Sequence, residues 1–178
     1  MTREKLFERA LRALPAGSPP MRWFVPGRIE VLGKHTDYAG GRSLLCCVER
    51  GIHLVARPRP DGLVRIADAT RGLEAVLRFG DDRPASGWVA YAATILRRLS
   101  RNFPGPLSGA DIAFTSNLPR ASGLSSSSAL VVALFSALSE VNRLAERTEY
   151  RESIRSQEDL AGYLGCVENG YPFGCLEG

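Results

Sequence analysis

Along residues 2–14 the apolar positions Leu6, Phe7, Ala10, Leu11 and Leu14 recur with a helical period, while Arg3, Glu4, Glu8, Arg9 and Arg12 fall largely elsewhere. This pattern predicts a surface helix, ended by Pro15, Gly17, Pro19 and Pro20. The pattern then changes to short extended runs. Residues 21–25 read as a short strand, 43–48 are apolar enough to be buried, and 52–57 read as another strand. Asp61-Gly62 marks a hairpin turn into residues 64–67, and 73–79 alternate as a further strand, so a meander is expected.

A second helical stripe, Val89, Ala92, Ile95, Leu96 and Leu99, predicts a helix over residues 87–101, closed by Pro104, Gly105, Pro106 and Gly109. Residues 110–116 set Ile112 and Phe114 among smaller or polar neighbours, as a strand does. The most apolar run of the chain, 129–138, predicts a buried helix. After a polar turn at 142–148, Ile154, Leu160, Tyr163, Leu164 and Val167 predict one more helix over 150–168, followed by a glycine-rich end. Strands that alternate with helices, together with a run of consecutive strands, indicate an α+β domain: a mixed or antiparallel sheet packed with helices.

Composition narrows the function classes. With 178 residues, 44% apolar and 24% charged, the chain suits one folded domain whose core needs no staples. The net charge of +4 is spread over mixed Arg, Glu and Asp, without a basic run interleaved with aromatics, which argues against a nucleic-acid partner. No apolar run reaches the roughly 18 residues a membrane span requires, and the charged, amphipathic start is unlike a signal peptide. A cytoplasmic protein without a membrane partner is therefore expected. Cys46, Cys47, Cys166 and Cys175 lack Cys-x-x-Cys spacing and read as buried thiols rather than a disulfide or metal site.

Two stretches carry candidate chemistry. In residues 117–133, Gly123 and four serines, Ser125 to Ser128, stand directly before the most apolar run. A serine run elsewhere would read as a flexible linker. Here it feeds a helix, so the reading is a loop at a helix start, with serine in a capping role and unpaired N–H groups suited to an anion. The second stretch, residues 26–41, mixes Arg28, Glu30, Lys34, His35, Asp37 and Tyr38 with glycines. It reads either as a sharply bent polar site or as a solvated turn with incidental charges.

These two stretches resemble one family. Pro-Gly-Arg-Ile-Glu-Val-Leu-Gly-Lys-His-Thr-Asp-Tyr-Ala-Gly-Gly is similar to the galactokinase signature, and Leu-Pro-Arg-Ala-Ser-Gly-Leu-Ser-Ser-Ser-Ser-Ala-Leu looks like the phosphate-binding motif of the GHMP small-molecule kinases. The resemblance implies the N-terminal domain of that family, a ribosomal protein S5 domain 2-like fold. It further implies an ATP- and Mg²⁺-dependent transfer of the γ-phosphoryl to a sugar (anomeric) hydroxyl.

By the same resemblance ATP would lie along Pro119, Ser122, Gly123, Leu124, Ser125, Ser126, Ser127 and Ser128, with Ser127 and Glu168 toward the metal. Lys34, His35, Asp37 and Tyr38 would face the sugar. Arg28 would stand between the reacting hydroxyl and the γ-phosphate, and Glu177 matches the position of the catalytic base.

Three departures qualify what the resemblance implies. Lys34 replaces a glutamate that contacts the sugar, turning an acceptor into a donor and pointing away from galactose itself, toward a substrate with an acidic group. Glu177 replaces an aspartate, and it reads either as the base or as a carboxylate on a frayed terminus. Glu168 lies three residues nearer Glu177 than the family spacing.

The resemblance covers only the N-terminal half of a galactokinase, so the C-terminal GHMP domain is expected to be absent from this chain, and self-association or pairing with a missing C-terminal half follows as an expectation. Alongside the kinase stand two other readings: a catalytically silent sugar- or nucleotide-binding module, and an inactive truncated fragment.

Overall fold

The structure is a computed structural model that describes residues 1–33, 40–119 and 122–178. Its strands are β1 (Met21–Leu32), β2 (Leu44–Arg59), β3 (Leu63–Asp68), β4 (Leu73–Arg78) and β5 (Gly109–Ser116). The helices are α1 (Arg3–Arg12), α2 (Trp88–Asn102), α3 (Ser126–Val141), α4 (Thr148–Ser153) and α5 (Gln157–Asn169). The strands form one five-stranded sheet in the order β1-β2-β5-β3-β4.

The expected meander does not form. Strand β5 inserts between β2 and β3, antiparallel to β2 and parallel to β3, so the sheet is mixed. Gly109 makes the insertion possible at its entry, because a Cβ there would collide with the Leu63 carbonyl. Strand β5 is thus buried on both faces. Ile112 and Phe114 join the main core with α2 and α3, while Ala113 faces the smaller layer of Phe7 and Ala10 on α1 and Leu14 just beyond it. The Thr115 hydroxyl donates to Leu6 O at 3.0 Å and fastens α1 to that face.

Other expectations are revised by packing. Strand β1 runs well past Val25, with register shifts between Pro26 and Arg28 and between Glu30 and Leu32. Residues 44–47 are exposed rather than buried, because this end of the β1–β2 ribbon projects beyond the helices that cover the rest of the sheet. Cys46, Cys47 and Cys175 are accordingly exposed free thiols, and Cys166 is half-buried. The single helix expected over 150–168 is two, because Ser156 and Asp159 form a capping box that restarts the chain as α5. Among the described residues, no helix is long and apolar enough to cross a membrane.

Candidate functional site

The two stretches singled out in the sequence meet in space. Gly27 is buried in β1, and a Cβ at that position would stand 2.6 Å from Leu118 Cδ2 and 2.8 Å from Leu124 O. Only glycine permits this approach. Beside it the Arg28 N–H donates to Leu124 O at 3.2 Å. The start of the loop is tied to β2, where Gly51 N–H donates to Asn117 Oδ1 at 2.8 Å. The serine loop is therefore held on β1 and β2 before α3 begins.

Within the loop, Ser122 Oγ donates to Pro119 O at 2.8 Å. Gly123 turns with φ +69°, and nothing lies within 4 Å of where its Cβ would be, leaving open space against the backbone. Ser125 is left-handed at φ 55°, ψ 47°, and its side chain makes no capping bond. The expected serine cap is thus absent. Instead the Ser125 carbonyl opens α3 by accepting from Ala129 N–H at 3.0 Å. A non-glycine residue in this region costs on the order of 1–2 kcal/mol. The result is a helix start whose first amides have no side-chain cap, and such amides suit an anion.

A cavity of about 720 Å³ lies against the loop, with Pro119, Ser126 and Ser127 on its wall. Trp88 and Tyr91 from the first turn of α2 form an aromatic side of it. Trp88 packs edge-on to Phe114, with centroids 5.6 Å apart. Asp68, Thr70 and Arg71 also line the cavity. Asp68 is 3% exposed, and its carboxylate accepts from the N–H groups of Thr70 and Arg71 at 2.9 and 3.2 Å, with Arg71 Nε 3.5 Å away. Sequence reasoning missed these residues. Trp88 falls on the same helical face as Ala92, Ile95 and Leu99, so spacing alone marks it as core. Nothing local marked the Asp68 turn, which reaches the cavity only because β3 lies beside β5.

Residues 13–58 match the galactokinase galactose-binding signature, and residues 90–171 match the GHMP kinases N terminal domain. The chain belongs to the GHMP kinase family, as a galactokinase-like N-terminal domain. It is 32% identical to the galactokinase of Exiguobacterium sibiricum over 174 residues, covering 96% of this chain and 41% of that protein. It is 37% identical to the Chloroflexus aurantiacus galactokinase over 141 residues, 73% of this chain and 35% of that one. The fold of this GHMP domain matches the crystal structure of Lactococcus lactis galactokinase complexed with galactose, with a TM-score of 0.77 at 24% identity, over 94% of this chain and 42% of that one. The chain thus spans about two fifths of the length of the relatives it matches.

The remaining candidates of the GHMP domain divide sharply. Lys34, His35, Asp37 and Tyr38 lie outside the described residues. The chain on either side of them is joined by Ser43, whose Oγ bonds Glu30 Oε1 at 2.8 Å and lies 3.2 Å from Gly33 O. This gives Glu30 a holding role at the neck of that segment. Arg28 is exposed beside the loop, and Ser128 is half-buried in the first turn of α3.

Glu177 is placed elsewhere. Its N–H donates to Asn102 Oδ1 at 2.8 Å, and Asn102 Nδ2 lies 3.4 Å from Glu177 O. Asn102 ends α2, about 16 Å of helix beyond Tyr91, the last α2 residue on the cavity wall, so the Glu177 backbone lies away from the cavity. Glu168 is half-buried in the last turn of α5, and neither glutamate lines the cavity.

The described residues contain no cluster of three or more His, Cys, Asp or Glu side chains suited to a metal. Ser127 is on the cavity wall.

Proposed function

We propose that this chain is the nucleotide- and sugar-binding domain of an ATP-dependent sugar kinase that passes the γ-phosphoryl to a sugar (anomeric) hydroxyl. The observation that carries the proposal is the bond from Arg28 N–H to Leu124 O, because it ties the sugar-signature strand to the serine loop. Trp88 and Tyr91 share a cavity with Ser126 and Ser127, and Arg28, which does not line it, meets the loop at Leu124. This arrangement suits a nucleotide base against the aromatic wall, phosphates over the loop, and an acceptor sugar beside Arg28.

MgATP supplies the electrophilic phosphoryl group and ADP as leaving group. The chain's own part is positioning and electrostatics. The open amides at the start of α3 hold phosphate oxygens, and the Ser127 hydroxyl is a ligand available to Mg²⁺. Arg28 supplies a fixed positive charge where charge develops during transfer. Glu177, whose backbone is held about 16 Å of helix from the cavity, takes no step in this scheme, so the proton of the acceptor hydroxyl leaves to water, and the separation favours a second reading in which the isolated chain binds without turning over. Lys34 sets the choice of sugar, and Lys34→Glu is expected to raise affinity for galactose relative to uronic acids.

Calorimetric titration of the chain with MgATP, hexoses and uronic acids, followed by an assay of ADP release, tests the proposal. Binding with sugar-dependent ADP release supports the kinase. Binding without turnover leaves the silent module, and no binding of either ligand removes both.

A further inference from the structure

The turn that follows β3 is fixed by several elements at once. Arg9 of α1 donates through Nε to Ala69 O at 2.8 Å and through Nη2 to Thr70 O at 3.1 Å. Gly72 N–H donates to Asp68 O at 2.8 Å, and Ser116 N–H donates to Thr70 Oγ1 at 2.9 Å. Asp68 closes the turn from within, its buried carboxylate accepting the Thr70 and Arg71 amides. Bonds this numerous fix the backbone that carries the Arg71 side chain. That side chain is 43% exposed, and among the described residues its partner is Asp68, whose Oδ2 lies 3.5 Å from Arg71 Nε. Asp68 itself lines the cavity of the serine loop, so the guanidinium beside it is held at that cavity.

The turn also occupies a definite place along the cavity. Asp68 is the register partner of Phe114, Ala69 N–H donates to Phe114 O at 2.9 Å, and the Trp88 ring packs on the Phe114 ring. The Asp68 turn and the aromatic wall therefore meet at one residue. Arg28 belongs to β1, three strand spacings from β3 in the sheet order, which is about 14 Å across the sheet. A nucleotide whose γ-phosphate is near Arg28 and whose base rests on Trp88 thus brings its base end, not its triphosphate, to Arg71.

We propose that Arg71 is a base-binding residue of the nucleotide site, its planar guanidinium set against the purine, with Asp68 as the positioning residue that holds it there. The inference rests on the nucleotide reading of this cavity. A guanidinium offers a flat cationic face and donors only. It stacks on an aromatic ring and donates to the acceptor nitrogens on a purine's edge. Asp68 leaves that capacity intact, because it is met through Nε and the terminal nitrogens keep their protons to donate.

Calorimetry on the whole chain tests this with MgATP, with adenosine as its competitor, and with magnesium tripolyphosphate, which has the phosphates without the base. Arg71→Ala is expected to weaken MgATP and adenosine alike, about tenfold, and to leave tripolyphosphate binding and the unfolding midpoint unchanged. Arg71→Lys, which keeps the charge without the plane, is expected to lose adenosine to a similar extent. Unchanged adenosine affinity in Arg71→Ala, full recovery in Arg71→Lys, or a loss for tripolyphosphate as large as that for adenosine would overturn the proposal, the last by placing Arg71 on the phosphates. In each of these outcomes the unaltered chain still binds MgATP. An unaltered chain that binds none of the probes instead removes the kinase reading, and this inference with it.

Discussion

The Arg28 N–H donates to Leu124 O at 3.2 Å, so that two segments almost a hundred residues apart in the chain share one bond at the heart of the site. Gly27 sets how closely they approach.

Replacing that glycine is therefore a sharp test. Gly27→Ala forces Leu118 and the Leu124 carbonyl away from β1, and overpacking of this kind costs about 1–3 kcal/mol. We expect a loss of that size in chemical denaturation, with MgATP affinity falling about tenfold or more as the loop shifts, which is about 1.4 kcal/mol of binding. Unchanged affinity with lowered stability would mean that the loop position does not govern nucleotide binding.

Ser127 makes a contrasting case. Its side chain has no capping role in α3, so Ser127→Ala should change stability by no more than about 0.5 kcal/mol. Removing one hydroxyl from a charged ligand is worth about 1.5–3 kcal/mol. A MgATP affinity some tenfold or more weaker at fixed Mg²⁺, with the unfolding midpoint intact, is the expected result of calorimetry.

Trp88 reports on the cavity directly. Nucleotide binding against the aromatic wall should change its fluorescence. Trp88→Ala should weaken MgATP binding and also lower stability, through loss of the edge-on contact with Phe114, which is worth about 0.5–1.5 kcal/mol beyond the area it buries. A fluorescence change that persists in Trp88→Ala would have to come from Trp23 and would move the base elsewhere.

His53 predicts a pH dependence remote from the site. Burial lowers its pKa from 6.5 to about 4, with repulsion from Arg3 adding to the effect. The ring lies 5.1 Å from Phe7 and 4.9 Å from Phe24 between centroids, and its Nδ1 has no partner. Between pH 6.5 and 4 the unfolded chain takes up a proton that the folded chain refuses, so this contribution is fully present above pH 6.5 and is lost as pH falls toward 4. The loss amounts to at most about 3 kcal/mol. Denaturation across this range should show the slope, and His53→Leu should flatten it.

The projecting end of the β1–β2 ribbon predicts association. Ile29, Val31, Leu32, Leu44 and Leu45 are each more than two fifths exposed, and exposed apolar side chains gathered at one end of a ribbon mark a contact region. We expect sedimentation velocity to show concentration-dependent self-association that Leu44→Lys or Val31→Lys relieves. A clean monomer of the unaltered chain at high concentration would remove the idea.

Residue spacing alone was enough for α1, α2, α3 and most strands, because burying one face imposes a period that a short window displays. The same holds for the serine loop, where glycine and hydroxyl residues directly precede an apolar helix. The resemblance of residues 26–41 and 118–130 to two family motifs was also legible, since it resides in residue identity.

What the chain could not disclose locally was how separate segments pair. The insertion of β5 between β2 and β3 depends on hydrogen bonds between distant residues, and a hairpin signal at Asp61-Gly62 fits either arrangement. Exposure of Leu44 to Cys47 depends on where the covering helices end, which an apolar run does not encode. The restart at Ser156 left two local signs, a six-residue step from Ile154 to Leu160 that departs from the helical period and a Ser156-x-x-Asp159 capping box, which the reading of one helix passed over. The sequence by itself determined the elements and their chemical vocabulary; the tertiary structure decided that Arg28 meets Leu124, that Trp88 faces Ser127 across a cavity, and that Glu177 rests on Asn102, because those contacts are settled only when the sheet order brings remote residues together.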